Sequence, residues 1–289
     1  MLTLFLYALL LFCAPQALTE GPTAISTDST TPQTVEIRSG NLTLHAILWK
    51  PRGNGPFPVV LFNHGSGGTK PDETAGMPIT EAAAKLAPVF AKHGYAFLFL
   101  FRRGQGLSAD QAPFIQAVLQ REEAAQGKEA RQHLQYILLT TEQLDDVMAA
   151  LAFLKTAPGI DAKRMAVVGH SFGGQLTLLA AERDPSIRAV VTFGAAANSW
   201  GKSPELRSRL TTAVSNSNAP VMLIHAANDY DTSAGRDLAA QLQNLHKHGV
   251  LKIYAPFGTT SDDGHNFMYS RISLWEDDVF NFLDAHMKN

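Results

Sequence analysis

Ser171 lies at the centre of the segment "GHSFGG", residues 169–174, in which three of six positions are glycine. An apolar run precedes this segment and a helical pattern follows it, so the sequence predicts a tight strand–turn–helix corner with the serine at its apex. Glycine neighbours let the chain fold close at such a corner. The pentapeptide alone is a weak signal, but in this context it is typical of a serine nucleophile.

A serine hydroxyl is a poor nucleophile at neutral pH and needs a hydrogen-bonded base that is oriented by a carboxylate. In a parallel sheet, such groups lie on loops at the carboxyl ends of strands. Asp229 and Asp231 both follow the apolar run at residues 220–225. Asp229 is the predicted acid, and Asp231 is the alternate, whose other role would be helix capping or support.

The base is predicted to be His265, in the segment "SDDGHNFMYS", residues 261–270. We expect this segment to be a flexible polar loop between the last strand and the last helix, able to bring an imidazole over Ser171. His170 is predicted to pack or to form hydrogen bonds. The other histidines beyond the acid are predicted to be solvated: His246, His248 and His286.

Attack of a serine on a carbonyl also requires two donors for the developing oxyanion. The backbone N–H of Phe172 is one predicted donor, and that of Ser66, in the loop "NHGSGG" at residues 63–68, is the other. Gly67 is an alternative to Ser66. A phosphate-binding loop is the competing interpretation, and it is disfavoured because no Gly-Lys-Ser/Thr sequence follows.

Apolar strands alternate with helical segments along the chain, which predicts an α/β fold with a mostly parallel central sheet and helices on both faces. Strands are predicted at residues 34–39, 42–50, 57–65, 95–101, 164–169, 187–193, 220–225 and 250–254, the first two forming a hairpin. Helices are predicted at residues 81–93, 110–135, 141–156, 233–247 and 272–286, and from 171 onward. Residues 108–139 are predicted to form a helical cap that sets substrate size.

Composition argues against several classes of protein. With 289 residues, of which 45% are hydrophobic and 17% charged, the chain can bury one sizeable core. A net charge of −2 and dispersed basic residues argue against binding of nucleic acid. Cys13 is the single cysteine, so neither an intramolecular disulfide nor a cysteine-based metal site is expected. No cofactor or metal is predicted, and the sequence does not indicate an oligomeric state.

The N-terminus predicts export. Residues 1–17 form an apolar run shorter than the roughly 20 residues of a membrane span, and they are interpreted as a signal peptide. A flexible segment, residues 18–33, precedes the predicted domain at residues 34–289. We therefore expect a periplasmic or extracellular protein without stable membrane insertion, an uncleaved membrane anchor being the alternative. Lipidation of Cys13 is disfavoured because bulky Phe12 precedes it.

These segments together resemble the α/β-hydrolase superfamily, and within it the dienelactone-hydrolase-like and prolyl-oligopeptidase-like branches. The match covers about residues 35–287 and rests on "NHGSGG", "FRRGQGLS", "GHSFGG", "HAANDYDT" and "DDGHNFM", in the order of the family. The resemblance implies the α/β-hydrolase fold. It also implies a nucleophile at Ser171, an acid at Asp229, a base at His265 and oxyanion donors at Ser66 and Phe172.

The expected function is that of a serine hydrolase that cleaves carboxylic ester bonds of small to medium substrates through an acyl-enzyme on Ser171. A serine peptidase acting on short peptides and a dienelactone or lactone hydrolase are the alternatives, and an acyl transferase would differ only in what deacylates the enzyme. Dienelactone hydrolases use cysteine at the elbow, so a serine favours general ester hydrolysis. Phe101 stands where the family has an aspartate, and Arg102 and Arg103 are predicted to be structural rather than to bind substrate.

Overall fold

A computed structural model of the protein describes residues 32–288 and has an eight-stranded sheet at its centre. The strands are β1 (Gln33–Ser39), β2 (Leu42–Trp49), β3 (Phe57–Asn63), β4 (Glu73–Thr74), β5 (Met77–Pro78), β6 (Ala96–Phe101), β7 (Ile160–His170), β8 (Ile187–Phe193), β9 (Val221–Ala226) and β10 (Gly249–Tyr254). The helices are α1 (Ile79–Lys92), α2 (Ile115–Gln126), α3 (Lys128–Thr140), α4 (Glu142–Thr156), α5 (Phe172–Arg183), α6 (Pro204–Asn216), α7 (Ser233–Asn244), α8 (Ser261–Ser270) and α9 (Ile272–Met287), with one turn of 3₁₀ helix at Gly106–Ser108.

The strand order in the sheet is β1-β2-β6-β3-β7-β8-β9-β10. Strands β1 and β2 form the predicted antiparallel hairpin, and β2 also pairs antiparallel with β6. All later pairs are parallel. The predicted fold class, a mostly parallel sheet with helices on both faces, is confirmed.

The central strands are buried on both faces, which explains their nearly continuous apolar sequences. Along β3, Val59 and Leu61 contact the core beneath helices α2 to α7, whereas Val60 and Phe62 contact the core beneath α1, α8 and α9. Because β3, β7, β8 and β9 are parallel, their carboxyl ends meet at one edge of the sheet. The loops that carry the predicted site residues therefore converge there.

The prediction that residues 261–270 form a flexible loop is wrong, because these residues form helix α8. Thr260 and Asp263 make a capping box: the Thr260 hydroxyl accepts from the Asp263 N–H at 3.1 Å, and the Asp263 carboxylate accepts from the Thr260 N–H at 2.9 Å. These two bonds satisfy donors that a helix start otherwise leaves unpaired. Polar residues of types that are typical of loops thus begin a helix here.

The predicted helical region at residues 110–135 is two helices, α2 and α3, that meet at Gly127 and extend to Thr140. Ile115, Leu119 and Leu139 anchor them to the core. Helix α6 and the short β4–β5 hairpin were not predicted from the sequence.

The predicted signal peptide, Cys13 and most of the segment at residues 18–33 lie outside the described residues. Within residues 32–288, no helix combines the length and the apolar character needed to cross a membrane.

Candidate active site

Ser171 occupies the corner between β7 and α5 in a left-handed backbone conformation, with φ of 54° and ψ of −117°. Such a conformation is strained for a residue with a Cβ atom. The Ser171 N–H donates to the carbonyl of Phe193 at 2.8 Å, which ties the corner to β8. A Cβ atom on Gly173 would lie 2.0 Å from the carbonyl oxygen of Asn63, so only glycine lets α5 begin directly against the end of β3.

The structure brings Ser171, Asp229 and His265 together, although 94 residues separate the serine from the histidine. The His265 Nε2 atom lies 2.9 Å from the Ser171 Oγ atom, and its Nδ1 atom lies 2.7 Å from the Asp229 Oδ1 atom. Because a carboxylate can only accept, Nδ1 carries the proton and Nε2 accepts from the serine hydroxyl. Asp229 and His265 are each only 7% exposed. This arrangement gives the serine a base and gives the base an orienting carboxylate.

Asp229 has a second imidazole partner, His225, which the sequence analysis did not identify as part of the site. The His225 Nδ1–H donates to the Asp229 Oδ2 atom at 2.8 Å, and the Tyr230 N–H donates to Oδ1 at 2.8 Å. Burial alone would raise the pKa of Asp229, but the hydrogen bonds from His225 and His265 hold this pKa below its ordinary value. Asp229 is therefore ionised at neutral pH. The sequence signal for this contact was a histidine at the end of the apolar run at residues 220–225, four residues before Asp229.

Asp231, the alternate acid, has a different position. Its Oδ1 atom accepts from the Ser233 N–H at 2.8 Å at the start of α7. His265 instead contacts Asp229. The capping role that the sequence analysis gave to Asp231 is thus the one that the structure provides.

His170 packs beside the site. Its Nε2–H donates to the carbonyl of His265 at 2.9 Å, and its ring meets that of Tyr269 edge-on, with centroids 5.1 Å apart. Burial lowers the pKa of His170 to about 3, and proximity to His265 adds to this effect. This neutral imidazole supports α8 through both contacts. His170 therefore packs and forms a hydrogen bond, as predicted from the sequence.

Ser66 and Phe172, the predicted oxyanion donors, both line the cleft beside Ser171, as does the alternative, Gly67. Among the described residues, the N–H groups of Ser66 and Phe172 find no hydrogen-bond acceptor. Two unpaired N–H groups at the edge of a cleft are available to an oxyanion.

Arg102 fixes the loop that carries Ser66. Its guanidinium is fully buried and donates to the carbonyls of His64 at 2.9 Å and Gly65 at 2.7 Å, and to the Gln143 side chain at 3.0 Å. The predicted structural role of Arg102 is confirmed.

Arg103 is also structural. It forms an ion pair with buried Asp146 at 2.6 Å. This region therefore has an ion pair even though Phe101 replaces the aspartate expected from the resemblance. The Phe101 ring instead lies in the aromatic core, with its centroid 5.3 Å from that of Phe99.

A cleft of about 820 Å³ opens above Ser171. The predicted cap region borders it through Gln116, Arg131, Gln132 and Gln135. Tyr230 also lines the cleft: its ring lies 4.8 Å from the His265 ring, and its hydroxyl donates to Asp262.

The described residues contain no group of three or more His, Cys, Asp or Glu side chains that could hold a metal ion.

Comparisons with known proteins agree with this architecture. The profile of the dienelactone hydrolase family matches residues 44–277. The quorum-quenching protein AidA of Acinetobacter baumannii (strain MDR-ZJ06) is 27% identical over 161 residues, which are 56% of this chain and 43% of that protein. This chain therefore spans less than half the length of that relative.

Many solved structures share the fold, and two of them serve as examples. The acylaminoacyl peptidase of Pyrococcus horikoshii is 17% identical with a TM-score of 0.63, and the match covers 91% of this chain and 43% of that one. The dienelactone hydrolase of Anabaena variabilis is 18% identical with a TM-score of 0.58, and the match covers 89% of this chain and 99% of that one.

Proposed function

This chain belongs to the dienelactone hydrolase family, and we propose that within this family it is a serine hydrolase that cleaves carboxylic esters through an acyl-enzyme on Ser171. The observation that carries the proposal is the continuous hydrogen-bonded chain from the Ser171 Oγ atom through His265 to Asp229, with distances of 2.9 Å and 2.7 Å. A base within hydrogen-bond reach of the serine and an ionised acid that orients this base are what nucleophilic catalysis by serine requires.

In the first half of the reaction His265 Nε2 takes the proton of the Ser171 hydroxyl as Oγ bonds to the ester carbonyl carbon. The carbonyl π electrons move to the oxygen, and the N–H groups of Ser66 and Phe172 donate to this oxyanion. Asp229 stabilises the imidazolium that forms and keeps its proton on the correct nitrogen.

In the second half the oxyanion collapses, the bond to the leaving oxygen breaks, and the imidazolium Nε2–H protonates the departing alkoxide. Water then attacks the acyl-enzyme and loses a proton to Nε2. Breakdown of the second tetrahedral intermediate releases the carboxylic acid and returns the proton to the Ser171 Oγ atom.

The acidic pair of the cap region, Glu122 and Glu123, does not face the cleft. Recognition of a peptide amino terminus by the cap region would require carboxylates that face the substrate, and Glu122 and Glu123 are an adjacent acidic pair in this region. Glu122 instead accepts a hydrogen bond from Gln126 at 2.7 Å, and Glu123 pairs with Arg131 at 3.1 Å. Neither glutamate lines the cleft. A lactone is a cyclic ester and would use the same steps.

Substitution of the nucleophile tests the proposal. Ser171→Ala should lower kcat for a p-nitrophenyl ester by roughly 10⁴–10⁶-fold, and a fluorophosphonate probe should label the wild-type protein and not the variant. Ser208→Ala, on an exposed part of α6, controls for loss of a surface hydroxyl. Retention of more than about a tenth of the activity in Ser171→Ala would refute the role of this serine.

Matched esters, lactones and amides test the substrate class. We expect kcat/KM for esters to exceed that for matched amides by at least about tenfold, because an amine leaves only when it is protonated whereas an alkoxide needs less help. Comparable values for a dipeptidyl amide and its ester would favour the peptidase alternative. A preference for the lactone over its open-chain ester would favour the lactone hydrolase.

A further inference from the structure

A recess of about 10 Å³, which has room for about one water molecule, adjoins the cleft next to the cap region. A larger ligand would meet the side chains shared by the two cavities from the cleft. The side chains that line both the cleft and this recess are hydrogen-bonding groups, and we call them the amide recess: Gln132, Gln135, Gln175 and Ser199. Residues 132, 135, 136 and 139 lie along one side of α3 at helical spacing, so one helix face forms a wall of the recess.

Gln175 is the strongest sign that a ligand enters here. Its side chain is 3% exposed, and no residue of the described chain donates a hydrogen bond to its Oε1 atom. Its Nε2 atom makes one long contact, 3.4 Å, to the Ser199 hydroxyl. Rotation of the amide by 180° exchanges Oε1 and Nε2, and Nε2 is then the atom without a partner. In both orientations, therefore, one buried polar atom of Gln175 is unpaired. A buried polar atom without a partner is costly.

The neighbouring amides are also available. Within residues 32–288 the Gln132 side chain makes no hydrogen bond, and Gln135 accepts only a long one, 3.5 Å, from Arg131. Both side chains are partly exposed to the cleft. The recess thus offers several donors and acceptors that the folded chain does not use.

The amide recess is close to the proposed nucleophile. Gln175 lies one helical turn after Ser171 on α5, and its N–H donates to the Ser171 carbonyl at 3.2 Å. Both residues line the cleft, so one small molecule can contact Gln175 and present its carbonyl to Ser171.

Neutral hydroxyl groups fit these side chains best. An amide and a hydroxyl each donate and accept, so they can satisfy one another, whereas an alkyl chain would leave the amides unpaired. Charged residues that line the cleft are of both signs and have partners. Arg131 pairs with Glu123, Asp262 accepts from Tyr230, and Asp263 accepts from Thr260. This pattern does not favour an ionic ligand.

We propose that the amide recess binds the hydroxylated half of the substrate, so that the ester cleaved is one of a sugar, a polyol or a polyhydroxy acid. This inference rests on the proposed hydrolysis of esters at Ser171.

Two matched pairs of esters test the inference and distinguish the half that carries the hydroxyls. Acetylated glucose and cyclohexylmethyl acetate differ in the alcohol half, and methyl gluconate and methyl hexanoate differ in the acyl half. In at least one pair, kcat/KM for the hydroxylated ester, measured by acid release, should exceed that for the apolar ester by at least about tenfold. Equal values or a preference for the apolar ester in both pairs would overturn the inference.

Substitutions in the recess provide a second measurement. In Gln132→Leu/Gln135→Leu the ratio of kcat/KM for the hydroxylated ester to that for the apolar ester should fall at least about tenfold. Gln126→Leu is the matched control, because Gln126 is an exposed glutamine of the adjacent helix outside the cleft. An unchanged ratio in the double variant would also overturn the inference.

If the proposed function is wrong, no ester in either pair should be turned over. The inference is then tested by the binding of glucose to the protein. Saturation-transfer NMR should detect glucose on the wild-type protein, not on the double variant, and should detect no cyclohexanemethanol. Absence of glucose binding to the wild-type protein would refute the recess as a site for hydroxylated ligands.

Discussion

Gly194, at the end of β8, lies against the hydrogen-bonded pair formed by His265 and Asp229, and its substitution tests the geometry of the site. A Cβ atom at this position would lie 2.9 Å from both the Cε1 and Nδ1 atoms of His265 and 3.1 Å from the Asp229 Oδ2 atom. Ordinary contacts of a Cβ atom are 3.4–4 Å. The imidazole must therefore move by about half an ångström or more in Gly194→Ala.

Such a movement acts directly on the reacting atoms. The bonds from His265 to Asp229 and to Ser171, at 2.7 Å and 2.9 Å, cannot both be kept when the ring is displaced. A misplacement of about 1 Å costs roughly 10²-fold in rate, so we expect kcat to fall by about 10- to 100-fold. Gly194 has φ of 58°, so alanine should also lower the free energy of unfolding by about 1–2 kcal/mol.

Gly40→Ala separates the two effects. Gly40 has φ of 59°, and a Cβ atom there would meet no atom within 4 Å. Both variants should lose stability in urea unfolding, Gly194→Ala at least as much as Gly40→Ala, and only Gly194→Ala should lose kcat in an ester assay. A folded Gly194→Ala protein with kcat within about threefold of wild type, or an equal loss of kcat in Gly40→Ala, would refute the reasoning.

Three further predictions concern neighbouring residues. Asp229→Asn should lower kcat by roughly 10³–10⁴-fold. Asp231→Asn should lower kcat much less and should change the free energy of unfolding by less than about 1 kcal/mol, because the Asn side-chain oxygen can still accept from the Ser233 N–H. Kinetics and urea unfolding of both variants test this, and the reverse ranking of kcat would move the acid to Asp231. His170 has a pKa of about 3 in the folded chain and of 6.5 as a free side chain, so its contribution to stability is complete above pH 6.5 and is lost as the pH falls towards 3. Between pH 7 and 5 the wild-type protein should lose about 2 kcal/mol that His170→Gln does not lose, and equal losses in urea unfolding would contradict this. Arg102→Lys removes one of the two hydrogen bonds that Arg102 donates to the carbonyls of His64 and Gly65, in the loop that carries Ser66. It should lower kcat at least about tenfold with KM little changed. An unchanged kcat in the folded variant would show that the loop does not need the guanidinium.

Much of the fold could be predicted from the sequence, because most of its central strands are apolar runs of 6–7 residues, which are too short for a typical buried helix. Helix α8 could not be predicted, because its first residues include Ser, Asp and Gly, which are typical of turns and loops. The capping box of Thr260 and Asp263 uses these same residue types to begin a helix. Gly264 allows close packing, since a Cβ atom there would lie 2.5 Å from the Asn228 side chain.

Residues of the candidate site could be predicted where a single segment of the sequence carries the motif. Residues that act through contacts between distant segments were harder to predict. Ser171 has a local motif, and the positions of Asp229 and His265 follow from the order of the strands. The contacts of Arg102 with the carbonyls of His64 and Gly65 join positions 38 and 37 residues apart. Nothing in the local sequence indicates which carbonyls a buried guanidinium will reach.

The left-handed conformation of Ser171 has a consequence for laboratory evolution of this protein. A glycine at this position would adopt φ of 54° without the cost of about 1–3 kcal/mol that strain imposes on other residues. A selection that scores only resistance to heat or protease would therefore enrich Ser171→Gly, the substitution that removes the proposed nucleophile. Libraries screened for robustness need a parallel screen for turnover, because at this corner the two properties select opposite residues.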